Sequence, residues 1–167
     1  MWNDYLAGGT MKLIDIIDGT PIPIGYRLAF LTAFYREPLL RRMEREHGLI
    51  RPEWTVLTCL AFRDGVTARD ICEITEQPSN TVSRAVGSLI ERGMVARRPD
   101  PEDGRRARLH ILRPGLAVHD AVMATFVAAE RELVRSLDPD ERVVLAALLD
   151  RMARDVPRWT GRTGEPA

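Results

Sequence analysis

Five side chains that suit the recognition of nucleic-acid bases and phosphates fall within six positions of the sequence. They are Ser79, Asn80, Thr81, Ser83 and Arg84. Arginine pairs with guanine and asparagine with adenine through two hydrogen bonds each, and hydroxyl groups bond to several bases and to phosphates. Apolar residues recur between and after them with helical spacing, so the polar set occupies the opposite face of one helix. The stretch therefore predicts a helix that reads DNA in the major groove.

A cluster of arginines follows this helix directly. Seven arginines lie between residues 92 and 113 against three acidic residues, a net charge of +4 in a chain whose formal net charge is zero. Such a run is usually only a solvated face. Here it comes directly after a candidate recognition helix, which favours contact with the DNA backbone or minor groove. The candidate contact residues are Arg97, Arg98, Asp103, Arg105, Arg106 and Arg108.

Two short helices must position the reading face. Thr67 and Asp70 form an acidic variant of the capping box, which predicts that a helix begins there and buries Ile71 and Ile74. After a turn that ends in proline, Ser79 is the predicted cap of the recognition helix, which ends at Gly93. The pair predicts a helix-turn-helix.

A two-stranded hairpin must present the arginines. Residues 94–98 and 106–112 are the predicted strands, separated by a turn rich in proline, aspartate and glycine. Alternation in the second strand places Leu109 and Ile111 inward, and Arg106, Arg108 and His110 outward. A helix-turn-helix followed by such a hairpin is a winged helix-turn-helix.

The remaining helices carry more apolar surface than one small winged domain can cover. The predicted fold is mainly α-helical with a small β-hairpin, and the chain is expected to form a homodimer through an all-helical dimerisation region. The predicted divisions are an N-terminal arm (1–24), the dimerisation region (25–50 and 114–157), the DNA-binding lobe (51–113) and a loose tail (158–167).

Other functional classes find little support in the sequence. The longest apolar run, Val143 to Leu149, is far shorter than the roughly 20 residues of a membrane span, and the N-terminus lacks a secretory signal, so a cytoplasmic protein is expected. The three histidines fall in three different elements and match no metal or hydrolase motif, which predicts no enzyme, metal or cofactor. Cys59 and Cys72 are interpreted as small core residues.

Residues 52–115 resemble the MarR family of bacterial transcription regulators. The likeness lies in residues 54–57, 79–84, 89–95 and 98–107, of which the last two stretches are highly specific. The resemblance implies a triangular homodimer, a wing that reaches the minor groove, and an Asp103 that holds Arg105. It also implies a cleft for a small anionic, often phenolic, effector. The sequence departs from the family where Arg113-Pro114-Gly115 replaces the usual threonine cap, and at Gly87 in the recognition helix.

The predicted function is that of a ligand-responsive repressor that binds a pseudo-palindromic operator in double-stranded DNA. The candidate effector residues are Tyr35, Arg36, His47 and Trp54. For Trp54 the pattern favours a place in the core of its helix, and Arg36 and His47 equally suit a solvated surface. The alternative function is a winged-helix module that binds protein and not DNA. Exposed aromatic residues on the wing would favour that alternative.

Overall fold

The structure is a computed structural model that describes residues 16, 17, 19–101, 103 and 106–161. Most of the predicted N-terminal arm, Arg105 and the end of the predicted tail therefore lie outside the described residues. The elements are α1 (Pro23–His47), α2 (Arg51–Phe62), α3 (Ala68–Thr75), α4 (Ser79–Glu91), β1 (Val95–Pro99), β2 (Ala107–Ile111), α5 (Arg113–Leu133), α6 (Pro139–Arg154) and α7 (Val156–Trp159). The prediction of a mainly helical fold with one small hairpin is confirmed.

The centre of the helix-turn-helix is a tightly packed apolar core. Helices α2, α3 and α4 each direct one stripe of side chains into it, and the wing adds one residue from each strand. The most deeply buried members are Val56, Leu57, Leu60, Ile71, Val82, Val86, Leu89, Val95 and Leu109. Burial of this stripe on α4 leaves its opposite face to solvent, because the apolar and polar faces of an amphipathic helix point in opposite directions.

Local capping sets the start of α3 as the sequence predicts. Thr67 Oγ1 accepts the N–H of Asp70 (3.1 Å), and Asp70 Oδ2 accepts the N–H of Thr67 (2.7 Å). The prediction that Ile74 is buried is wrong, since its side chain is 64% exposed. The inward stripe of this short helix consists of Ala68, Ile71, Cys72 and Thr75, and Ile74 lies beside it.

The recognition helix begins differently from the prediction. Pro78 is the N-cap and Ser79 the first helical residue, so the cap is not a side chain. Thr81 and Val82 donate their backbone N–H groups to the carbonyl of Pro78 (3.0 and 3.2 Å). The serine is one position too late to act as the cap that the sequence suggested.

The wing is an antiparallel pair whose register runs from Val95–Ile111 to Pro99–Ala107. The loop after α2 joins it on the other side of β2. Gly65 N–H donates to Leu109 O, and Leu109 N–H donates to Val66 O, both at 2.9 Å. The wing is therefore hydrogen-bonded to the helix-turn-helix along its second strand.

The chain divides into two compact units, one ending at Phe126 and the other beginning at Val127. In the second unit, α6 opens with the predicted cap, because Asp138 accepts the N–H of Glu141 (2.8 Å). The tail predicted to be loose from residue 158 instead begins inside a helical turn, α7, where Arg158 bonds to Asp155. Across the described residues, no helix is both long enough and apolar enough to cross a membrane.

Candidate nucleic-acid interface

The predicted reading residues lie together on the outer face of α4. Ser79, Asn80, Ser83 and Arg84 are exposed, and Thr81 is half-buried. Oδ1 of Asn80 accepts the N–H of Thr81 (2.8 Å), so a bidentate contact with adenine requires the amide to give up that bond. The face combines one arginine and one amide with small hydroxyl groups, which is the composition that a major-groove contact needs.

The arginines of the wing fall into two groups. Arg97, Arg98 and Arg106 are exposed. Arg106 forms an ion pair with Asp103 (Nε to Oδ2, 3.3 Å), and its backbone N–H donates to Asp103 O (2.8 Å). Asp103 therefore pairs with a wing arginine, as the family resemblance implies, but that arginine is Arg106. Arg105, the partner that the resemblance implies, lies outside the described residues.

Arg108 points back into the structure, although the alternation of the strand predicted an outward side chain. Its Nε donates to Oδ2 of Asp100 (2.9 Å), a buried carboxylate, and its Nη1 reaches the carbonyl of Gly65 (3.4 Å). These bonds join β2 to the residue that follows β1 and to the loop after α2. Arg108 therefore stabilises the wing through its own hydrogen bonds.

His110, which the alternation also predicts to face outward, forms a hydrogen bond with Asp64 in the loop after α2. Its Nδ1 donates to Oδ2 of Asp64 (2.7 Å), and the N–H of Ile111 donates to Oδ1 of the same carboxylate (2.8 Å). Burial pushes the pKa of Asp64 upward, but the hydrogen bonds from His110 and Ile111 outweigh it, and the pKa lies below its usual value. Asp64 is 46 residues from His110, so no local pattern signals the pair.

A cleft of about 290 Å³ lies between α1, α2 and α5. Its walls combine two arginines and two aromatic rings with small polar groups. They consist of Arg36, Leu40, Arg51, Trp54, Thr55, Thr58, Cys59, Thr75 and Phe126. Burial raises the pKa of the Cys59 thiol, which favours its neutral form.

The structure brings together only some of the predicted effector residues. Arg36 and Trp54 line this cleft, whereas His47 lines a smaller, separate hollow next to α5. Tyr35 meets the edge of Phe126 at 6.3 Å between ring centroids. Trp54 stacks on both Phe126 (5.6 Å) and His119 (5.1 Å), so it is part of the packing and also of the cleft wall.

Sequence reasoning missed His119 and Phe126 as partners of Trp54. A helical signal was available, since residues seven apart lie on one face of a helix, and Val122 of the same face is buried. What the pattern alone does not reveal is that this face meets α2.

A winged helix-turn-helix with an exposed polar recognition helix and a basic wing defines a class of DNA-binding regulators. Residues 47–106 match the sequence model of the MarR family. A protein of Thauera aromatica assigned to transcriptional regulation of the hcr operon is 23% identical over 114 residues, which are 68% of this chain and 69% of that protein. Residues 47–106 are therefore similar to the MarR family of transcription regulators.

Solved structures of the same fold extend beyond the matched lobe. A MarR-family transcriptional regulator from Silicibacter pomeroyi superposes with a TM-score of 0.71 at 23% identity, covering 90% of this chain and 95% of that one. A MarR variant from E. coli, crystallised with operator DNA, has a TM-score of 0.65 at 20% identity and covers 78% of this chain and 94% of its own. At 20–23% identity, these superpositions establish the fold that the chain shares with the MarR structures.

Proposed function

We propose that this protein is a sequence-specific regulator, acting as a repressor, that binds double-stranded DNA through α4 and the wing. The observation that carries the proposal is the division of α4 into a buried stripe and an exposed polar face. Val82, Val86 and Leu89 hold the helix on the core, while Asn80 and Arg84 face solvent. Since it binds chromosomal DNA, it acts in the cytoplasm.

The proposal includes a homodimer on a pseudo-palindromic operator. Apolar side chains on α1 are exposed, among them Ile24, Leu31 and Phe34, and so is the stripe of α6 around Leu148 and Leu149. Contiguous apolar faces of this kind need a partner to exclude water. Two-fold symmetry would place two copies of α4 about 34 Å apart, one turn of B-DNA.

The proposal also includes an effector, an aromatic carboxylate or phenolic acid, in the cleft. Arg36 and Arg51 supply cationic donors that suit a carboxylate, and Trp54 and Phe126 supply ring faces. The volume of about 290 Å³ lies at the lower end of the range for small-molecule sites, which favours a single-ring ligand.

The decisive experiment compares specific with non-specific DNA binding. Fluorescence anisotropy would measure the affinity for the DNA upstream of the gene and for a shuffled duplex of equal composition. Arg84→Ala and Asn80→Ala should each weaken specific binding by about 5- to 150-fold and change binding to the shuffled duplex much less. Arg151→Ala, which removes an exposed charge from the second unit, is the matched control.

Three further results bear on the proposal. Benzoate or salicylate should release the DNA from the wild type and not from Arg36→Ala. Sedimentation should show a dimer, and Leu148→Asp should yield a monomer with weakened operator binding. Equal affinity of the wild type for both duplexes would contradict sequence-specific recognition and favour the protein-binding alternative.

A further inference from the structure

Glu53 is a buried carboxylate in the first turn of α2, with only 4% of its surface exposed. Its Oε2 accepts the N–H of Ile50 (3.0 Å), which completes the start of the helix. Its Oε1 accepts the hydroxyl of Ser88 on α4 (2.5 Å). A buried charge is tolerated when several hydrogen bonds and an opposite charge compensate it. The opposite charge here comes from Arg92.

Arg92 is the C-cap of α4, and its guanidinium joins three elements. Nη1 donates to Glu53 Oε2 (3.2 Å) and to the carbonyl of Gly48 (3.1 Å), and Nη2 donates to the carbonyl of His47 (2.9 Å). His47 and Gly48 form the carboxyl end of α1. A helix leaves its last carbonyl groups unpaired and carries a partial negative charge there, so a cation at that end is doubly favoured.

This arrangement uses the geometry of arginine and not only its charge. A planar guanidinium reaches three acceptors in different directions at once, whereas a single ammonium on a flexible chain does not hold the same set. The Arg92 side chain is 29% exposed, so it is committed mainly to the protein interior. Arg97, on the wing, offers the contrasting case of an exposed arginine.

We propose that Arg92 and Glu53 form a coupling latch that makes the position of the recognition helix depend on the carboxyl end of α1. The pair connects α1, α2 and α4 through side chains 39 residues apart in sequence. A shift of α1 then shifts the base-reading face of α4. In this role Arg92 is a positioning residue that acts through α4. The inference rests on the proposed DNA binding for its consequence, but the latch itself is a property of the free protein.

The first test follows the latch without DNA. Hydrogen exchange of the full chain should show that Arg92→Lys, which retains the charge, lowers amide protection both at residues 44–48 and in α4. Glu53→Gln should lower protection at the same two sites, and the double variant should add little beyond either change. Loss of protection in Glu53→Gln that is confined to α2, or no loss in either variant, would overturn the latch.

The second test measures the consequence for specificity on folded protein. Arg92→Lys should lower the ratio of operator to shuffled-DNA affinity by about 3- to 30-fold, the range of coupling seen for residues that act at a distance. The dependence on salt should stay unchanged. Arg97→Lys should retain the ratio, since lysine also neutralises phosphate.

Two results would make Arg92 a phosphate contact and overturn the proposal. One is an affinity ratio that is lost in Arg92→Ala but retained in Arg92→Lys, and the other is a salt slope reduced by about 0.9. A wild type without sequence preference would instead contradict the proposed function and leave the exchange result to decide the latch.

Discussion

The Nε of Arg108 lies 2.9 Å from Oδ2 of Asp100, and this pair links β2 to the residue that follows β1, at the turn end of the wing. Asp100 is 6% exposed and the side chain of Arg108 is 40% exposed, so a buried carboxylate is paired with a guanidinium at the protein surface. The neighbouring Arg98, directly opposite Arg108 in the strand register, is exposed. The two arginines that face each other across the hairpin therefore differ in role: Arg108 supports the wing, and Arg98 is exposed to solvent.

Arg98→Ala and Arg108→Ala should separate DNA contact from wing stability. The first removes an exposed charge, so it should lower DNA affinity and reduce the salt slope by about 0.9 while leaving the free energy of unfolding nearly unchanged. The second removes a partner of a buried carboxylate and should lower the free energy of unfolding by about 1–3 kcal/mol. Urea denaturation and salt titration of binding measure the two effects. Identical profiles for the two variants would show that Arg108 is not a structural residue.

Asp103→Ala tests whether the acidic residue of the turn orients an arginine. Asp103 pairs with Arg106 at 3.3 Å. A guanidinium already held in place loses less side-chain entropy on binding, so removal of Asp103 should weaken DNA binding even though it removes a negative charge. Anisotropy at fixed salt gives the sign directly. Tighter binding of Asp103→Ala would mean that simple repulsion of DNA dominates.

Gly115 and Gly87 should respond oppositely to alanine. A Cβ on Gly115 would overlap the backbone carbonyl of Met94, so Gly115→Ala should lower the free energy of unfolding by about 1–3 kcal/mol. A Cβ on Gly87 would meet no atom within 4 Å, and Gly87→Ala should stabilise α4 by about 0.5–1 kcal/mol. Thermal melts of the two variants form the comparison. If Gly87→Ala is more stable but binds DNA less well, the small residue is needed for close approach of the duplex.

The capping box of α3 should make part of the stability dependent on acid pH. The hydrogen bond from the Thr67 N–H is the main reason that the pKa of Asp70 lies below its usual value, against a smaller rise from burial. A carboxylate whose pKa is lowered on folding stabilises the protein above about pH 4 and loses that effect as the pH falls through the folded-state value.

Asp70→Asn should therefore flatten the fall in the free energy of unfolding between pH 5 and 3 that the wild type shows. Denaturation by urea across this range is the measurement. Thr67→Ala is the comparison, because it removes the Oγ1 cap at a cost of about 1 kcal/mol, together with a smaller cause of the lowered pKa, but keeps the backbone donor that is its largest cause. An unchanged slope in Asp70→Asn would assign the acid sensitivity to other groups.

Cys59 should be a poor target for oxidants. Burial raises the pKa of its thiol, and the reactive thiolate is correspondingly scarce at neutral pH. Peroxide at concentrations that preserve the fold should leave DNA affinity unchanged in the wild type and in Cys59→Ser alike. Release of DNA by peroxide that disappears in Cys59→Ser would contradict this.

The sequence by itself determined the elements and the general character of the interface. Helical spacing set the buried stripe of α4, the Thr67–Asp70 and Asp138–Glu141 patterns set two helix starts, and the charge excess marked the wing. These features were predictable because capping and amphipathicity depend on residues one or two turns apart. The capping error at Ser79 and the burial error at Ile74 also arose at this local level, where neighbouring positions differ little in pattern.

Only the tertiary structure decided which polar side chains face solvent and which support the fold. Asp64–His110, Glu53–Arg92 and the stacking of Trp54 on His119 join residues far apart in the chain. Their hydrogen bonds depend on how helices and strands pack against one another, and no spacing along the sequence encodes that distance. Arg108 shows the consequence most directly. Its position in the strand predicts an outward side chain, yet a buried carboxylate within reach draws the guanidinium inward, because a buried charge is stabilised only when a partner reaches it.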